Sequence, residues 1–193
     1  MSQIIVPVLL ALVTSAIINN AVLMQFLGIC PFLGVSKKMD SSIGMSAAVV
    51  FIMIISSAIT YPIYKFILEP ANIGFMSTLT FILVIATLTQ FVELIIKKTS
   101  KGLYKSLGVY LPLMATNCII LGVVEENIKA SSFGTAMLLT LGTGLGFALV
   151  MILFSSIRMH LETSNIPKPF KGVPIALITA GLLALAFSGF GYL

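Results

Sequence analysis

The sequence predicts an all-α integral membrane protein of six transmembrane helices, arranged as two inverted three-helix repeats with broken or half helices in segments one and four. Three observations predict it. Only 9% of the residues are charged and 59% are hydrophobic, with a mean hydropathy of +1.14, whereas a soluble domain carries about 25% charged residues. The apolar residues fall into six runs separated by short charged loops. The frame Cys-x-x-Leu-Gly-Val occurs twice, at Cys30–Val35 and 88 residues later at Cys118–Val123, and holds the only two cysteines of the 193 residues.

The runs cover 3–35, 43–62, 77–96, 102–124, 133–157 and 173–193. They match the roughly 20 helical residues needed to cross a hydrocarbon core, and barrel strands would be shorter and alternating. Met1-Ser2-Gln3 places no basic residue before the first run, and no small-residue cleavage signature follows, which predicts a retained span rather than a signal peptide. No polar stretch exceeds a short loop. One membrane domain is therefore expected over 1–193, with repeat one at about 3–96 and repeat two at about 102–193. Water-phase substrates and cofactors are left to other chains.

Loop charge sets the orientation. The loops after runs one, three and five hold nine basic residues: Lys37, Lys38, Lys97, Lys98, Lys101, Lys105, Arg158, Lys168 and Lys171. Those after runs two and four hold two, Lys65 and Lys129. The positive-inside rule places the first set in the cytoplasm and both termini outside. The net charge of +5 is accounted for by these topology determinants beside anionic headgroups and requires no nucleic acid.

Run one is too long for one straight span, and it carries Pro7, Asn19, Asn20, Gln25, Gly28 and Pro31. An unbroken helix would turn these groups toward lipid and lose a backbone hydrogen bond at Pro31, so a break is the economical solution. Run four is interrupted by Gly108, Pro112 and Thr116-Asn117, just before Cys118. Interruptions at corresponding points of two halves point to a site at the repeat interface.

The repeat extends beyond the cysteines. At the same offset Lys37-Lys38 meets Glu125-Glu126, and two residues later, at an offset of 90, Ser41-Ser42-Ile43-Gly44 meets Ser131-Ser132-Phe133-Gly134. Three spans per half put equivalent loops on opposite faces, so similarity with reversed loop charge is the mark of an inverted repeat. Runs three and six match poorly. Counted from their own loops, both thiols lie about 9–10 Å below opposite surfaces, which brings them together near the midplane of a core about 30 Å thick.

Two buried thiols have three readings. Cysteine is a small apolar residue that commonly fills helix contacts; a disulfide is a second option; a thiolate-loving metal such as zinc, copper(I) or an iron–sulfur centre is the third. Two ligands fall short of a four-thiolate site, and the single histidine, His160, is expected in a cytoplasmic loop. A second protein chain would have to supply the other ligands.

The runs Phe26-Leu27-Gly28-Ile29-Cys30-Pro31-Phe32-Leu33-Gly34-Val35-Ser36-Lys37-Lys38, Thr116-Asn117-Cys118 with Leu121-Gly122-Val123, and Ala176-Leu177-Ile178-Thr179-Ala180-Gly181 closely resemble the A subunits of Rnf (Rsx) ion-translocating electron-transport complexes. The homologous D and E subunits of the sodium-pumping NADH:quinone reductase are similar too. The resemblance covers essentially the whole chain. It implies that two homologous six-helix subunits of opposite orientation each give two cysteines to one intramembrane [2Fe–2S] cluster, with Cys30 and Cys118 as this chain's iron ligands. It also implies a bacterial cell-membrane complex that passes electrons between reduced ferredoxin and NAD through flavin and iron–sulfur subunits, coupled to sodium or proton transport. This chain would be the electron relay of that oxidoreductase and would hold no catalytic residue of its own. Alternate exposure of the cluster to the two faces would gate electron passage. Asn117, beside Cys118, is the candidate for hydrogen bonding to cluster sulfur.

Two other readings are a small inverted-repeat secondary transporter and a purely structural anchor. Gly142-Thr143-Gly144-Leu145-Gly146 echoes a dinucleotide loop, but without a preceding strand it predicts close helix packing instead. Glu93 and Lys97, four apart, predict an interfacial pair. Asn19, Asn20, Gln25, Gln90 and Thr116 are expected to hydrogen-bond neighbouring helices.

Overall fold

Uninterrupted apolar runs form the longest helices of the computed structural model, which describes residues 14–18, 20–36, 39–71, 76–99, 114, 116–130, 132–164 and 167–189. Expectations for Pro7, Asn19, Lys37, Lys38, Lys101, Lys105, Gly108 and Pro112 lie outside these residues. Among the described residues all regular structure is helical. A π-helical turn, Thr14–Ile18, precedes helix α1 (Ala21–Met24) and helix α2 (Ile29–Val35). Helix α3 (Met39–Ile63), α4 (Ser77–Thr99), α5 (Cys118–Ile128), α6 (Phe133–Glu162) and α7 (Val173–Ser188) follow.

Among the described residues three helices are long and apolar enough to cross a membrane: Met39–Leu68, Ser77–Lys98 and Phe133–Glu162. A fourth span is formed if Thr14–Met24 and Ile29–Val35, which meet at 83°, are taken as one broken crossing. The predicted break in run one is thus present, but it falls at Gln25–Gly28 rather than at Pro31. Pro31 is the third residue of α2. The N–H groups of a first turn have no helical partner in any case, so proline is tolerated there.

Many polar side chains are buried beside an apolar core, and many large apolar ones face outward. Ser42, Ser57, Thr60, Asn20, Asn117, Asn127, Thr140 and Arg158 are buried, whereas Phe51, Phe66, Leu83, Phe91, Leu145, Leu182 and Leu185 are exposed. Hydrocarbon tolerates exposed apolar side chains, while polar ones find partners against other helices. Within helices the hydroxyls return to the preceding turn, as Ser46 Oγ does to Ser42 O (2.7 Å) and Thr60 Oγ1 to Ser56 O (2.6 Å). Pro62 lies inside the third helix, and a π-type turn, Tyr64–Leu68, follows at once. A missing donor at proline and a widened turn are common companions.

The core is the seam of α3 with α6, flanked by α5 and by the first turns of the chain. Small residues make the seam close. A Cβ added at Gly146 would lie 2.7 Å from Ala16 O, and one at Gly144 would lie 3.4 Å from Val50. The glycine run is therefore a packing device, as the missing strand predicts. Asn127 joins the three helices: its Nδ2 donates to Ser57 Oγ (2.7 Å) and Thr140 Oγ1 (2.8 Å).

Two boundaries need correction. The fourth run continues to Ile128, so Glu125 and Glu126 are helical rather than loop residues. The fifth continues to Glu162, which puts Arg158 and His160 on α6. His160 is exposed as expected, but Arg158 is buried at 5% exposure. Helix propagation through Ser155-Ser156-Ile157, with no glycine or proline to stop it, is the physical reason.

Candidate functional site

The two cysteines stand at the heads of two helices. Gly28 opens α2 with φ +82°, a left-handed conformation that L side chains rarely adopt, and Cys30 is the second residue of that helix. Phe26, at φ +54°, makes the turn before it. Cys118 is the first residue of α5. Asn117 caps this helix, with Oδ1 accepting from Ile119 N at 3.4 Å, the usual role of asparagine at that place.

The two helix heads touch. A Cβ at Gly28 would lie 3.2 Å from Asn117 Oδ1 and 3.5 Å from Ile119, and one at Gly122 would lie 2.7 Å from Leu27. Glycine is needed at Gly28, where φ is positive, and at Gly122 it leaves room for the end of the Leu27 side chain. The structure therefore joins the two copies of the cysteine motif through Gly28, Leu27, Asn117 and Gly122. Both thiols are free and exposed, so neither fills the core of this chain. Cys118 Sγ donates weakly to Thr116 O at 3.8 Å.

Around Cys118 runs a groove of about 380 Å³ lined by Gln25, Leu27, Leu121, Gly122, Glu125, Glu126 and Lys129. The α5 residues among them recur at helical spacing, so the groove follows one face of that helix. Glu125 is tied to α4 through Thr78 Oγ1, at 2.8 Å.

The donor set fits half of a four-thiolate centre. Among the described residues no group of three or more His, Cys, Asp or Glu could hold a metal ion. Two exposed thiols on helices whose heads touch are what a shared site asks of a single chain. Asn117 Nδ2 is buried without a hydrogen-bond partner, an orphaned donor one residue from Cys118. First-turn backbone N–H groups at both sulfur positions also suit a negatively charged group.

The other polar residues act elsewhere. Asn20 caps α1 through Val22 N (3.0 Å) and donates to Ala16 O (2.8 Å), while Gln25 lines the groove and Gln90 is exposed on α4. Glu93 is half-buried on the same helix. Sequence reasoning missed Gly28 as the pivot of the site and Arg158 as a buried group. A glycine two residues ahead of a cysteine in an interrupted span was the available signal for the first.

The Rnf-Nqr family model, described as Rnf-Nqr subunit, membrane protein, matches residues 8–193. The chain is 52% identical over 180 residues to the A subunit of the Na(+)-translocating ferredoxin:NAD(+) oxidoreductase complex of Acetobacterium woodii, covering 93% of this chain and 94% of that protein. It is 50% identical over 183 residues to the A subunit of the ion-translocating oxidoreductase complex of an Azoarcus species and 49% identical to that of Hahella chejuensis, covering 94% of this chain and 95% of each relative. With helices built for a membrane and both cysteine motifs in contact, the chain belongs to the Rnf-Nqr family of membrane protein subunits.

Proposed function

We propose that this chain is the A subunit of an ion-translocating ferredoxin:NAD oxidoreductase complex and acts as its electron relay within the membrane. Cys30 and Cys118 give two ligands to a [2Fe–2S] cluster, and a homologous six-helix subunit of opposite orientation gives the other two. When bound, the cluster supplies a one-electron step between the ferredoxin side and the NAD side. Flavins and further iron–sulfur clusters reside on other subunits. The observation that carries this reading is the contact of the two cysteine-bearing helix heads through Gly28 and Asn117, with both thiols left exposed.

The residues of this chain then have distinct tasks. Gly28 and Gly122 permit the close approach, Asn117 Oδ1 caps α5, and Asn117 Nδ2 is the donor toward sulfur. The groove beside Cys118 receives the partner segment that carries the remaining thiolates. Six spans in two inverted repeats, both termini external, in a bacterial cell membrane, complete the arrangement. Electron passage is coupled to sodium or proton movement.

Copurification of the chain with its neighbours, followed by electron paramagnetic resonance of the [2Fe–2S] signal in wild type, Cys30→Ser and Cys118→Ser, tests the reading. The signal is expected in wild type and lost in each variant. Its persistence in both would sink the assignment.

A further inference from the structure

Among the described residues, Arg158 is the only buried charged side chain. Its Nη1 donates to Leu33 O at 2.6 Å and to Ser36 Oγ at 2.7 Å. Both acceptors are neutral. Every side-chain carboxylate of the sequence lies within the described residues, and none pairs with this guanidinium. Burying a cation without a counter-ion is costly, so such groups are rare and tied to function in membrane proteins. A mere topology determinant would lie at the surface.

What Arg158 grips is the helix that carries Cys30. With seven residues, α2 is too short to be stable by itself and depends on its contacts. Its C-terminal end is held by side chains of both α3 and α6, with Ser42 Oγ of α3 donating to Val35 O at 3.4 Å. Ser155 Oγ donates to Ser36 O at 3.1 Å, Ser42 Oγ reaches Ser155 Oγ at 3.1 Å, and Phe32 stacks on Phe154 with ring centroids 4.1 Å apart. Arg158 completes this grip at Leu33, about 5 Å of helical rise from Cys30. Cations are favoured at the C-terminal end of a helix, which offsets part of the burial cost.

The geometry points to Arg158 as a positioning residue for Cys30, one that fixes α2 through Leu33 and Ser36 and presents an uncompensated buried charge to the electron arriving at the Cys30 ligand pair. This rests on the relay reading above. One electron from the ferredoxin-class donor adds one unit of negative charge there, and the same electron leaves toward the nicotinamide side. Charges in this medium interact several-fold more strongly than in water. Arg158 therefore raises the potential at which the relay is reduced.

The test uses the purified complex with Arg158→Gln and Arg158→Lys, read by redox titration of the [2Fe–2S] signal and by hydrogen exchange of residues 29–36 against 118–128. Arg158→Gln is expected to shift the midpoint to more negative potential and to lower protection over 29–36 alone. Arg158→Lys, which keeps the charge on a shorter side chain without Nη1, is expected to keep the wild-type midpoint with lowered protection. An unchanged midpoint in Arg158→Gln, or an equal shift in both variants, overturns the electrostatic role. Unchanged protection in both overturns the grip. If Arg158→Gln does not assemble, Arg158→Lys decides alone: a wild-type midpoint supports the proposal and a shifted one overturns it. Absence of the cluster signal in wild type would be failure of the relay reading, and hydrogen exchange would still decide the grip.

Discussion

Gly28 and Asn117, 89 positions apart in the sequence, face each other so closely that a Cβ on the glycine would stand 3.2 Å from the asparagine Oδ1. Each residue immediately precedes one of the two cysteine-bearing helices. The contact makes the relative placement of Cys30 and Cys118 a property of backbone packing rather than of any bond between the thiols.

Gly28→Ala should be destabilising on two counts, the left-handed φ of +82° and the crowding against Asn117. Left-handed backbone costs about 1–2 kcal/mol for a residue with a Cβ. Thermal unfolding in detergent should show a loss of that order, accompanied by a weaker [2Fe–2S] signal. Gly134→Ala, where a Cβ meets nothing within 4 Å, is the control and should be neutral.

Asn117 has two roles that substitution can separate. Asn117→Asp keeps an oxygen for the Ile119 N–H but removes the donor at Nδ2. Its thermal stability should stay near wild type while the cluster midpoint moves to more negative potential. Asn117→Ala removes both and should cost about 1 kcal/mol, the usual loss of a helix cap. A wild-type midpoint in Asn117→Asp would remove the donor role.

At Gly146 the added methyl group of alanine would press on backbone, 2.7 Å from Ala16 O, where no flexible side-chain end can yield. Overpacking of this kind costs about 1–3 kcal/mol. Gly146→Ala should therefore lower the detergent melting temperature, whereas Gly181→Ala, with open space around it, should not.

The amide of Asn127 ties α5 to Ser57 of α3 and Thr140 of α6. Such bonds between membrane helices contribute about 0.6 kcal/mol on average and up to about 1.7. A double-mutant cycle of Asn127→Ala with Thr140→Ala should give a coupling energy in that range. Zero coupling would show that the network does not hold the three helices together.

Much of this was legible in the sequence. Low charge and long apolar runs announce a helical membrane protein, because each span must satisfy its own backbone in lipid. The duplicated cysteine frame marked two related points in interrupted runs, whereas the helix starts beside both cysteines and the capping role of Asn117 came only with the structure. The exact course of the broken first run was not legible. Pro31 is the strongest breaker in it, yet the chain turns at Gln25–Gly28 and uses the proline inside the first turn of α2. Local preference marks where a helix can begin, and packing chooses among the candidates.

The sequence by itself determined the membrane class, the apolar segments and the pair of thiols, since these follow from hydropathy and spacing along the chain. Only the tertiary structure decided that Gly28 lies against Asn117, that Glu125 and Glu126 belong to a helix, and that Arg158 is buried over the end of the Cys30 helix. The two contacts join residues some 90 to 125 positions apart in the chain, which meet only when helices pack. Burial of a charge is decided by what surrounds it, and no local pattern carries that information.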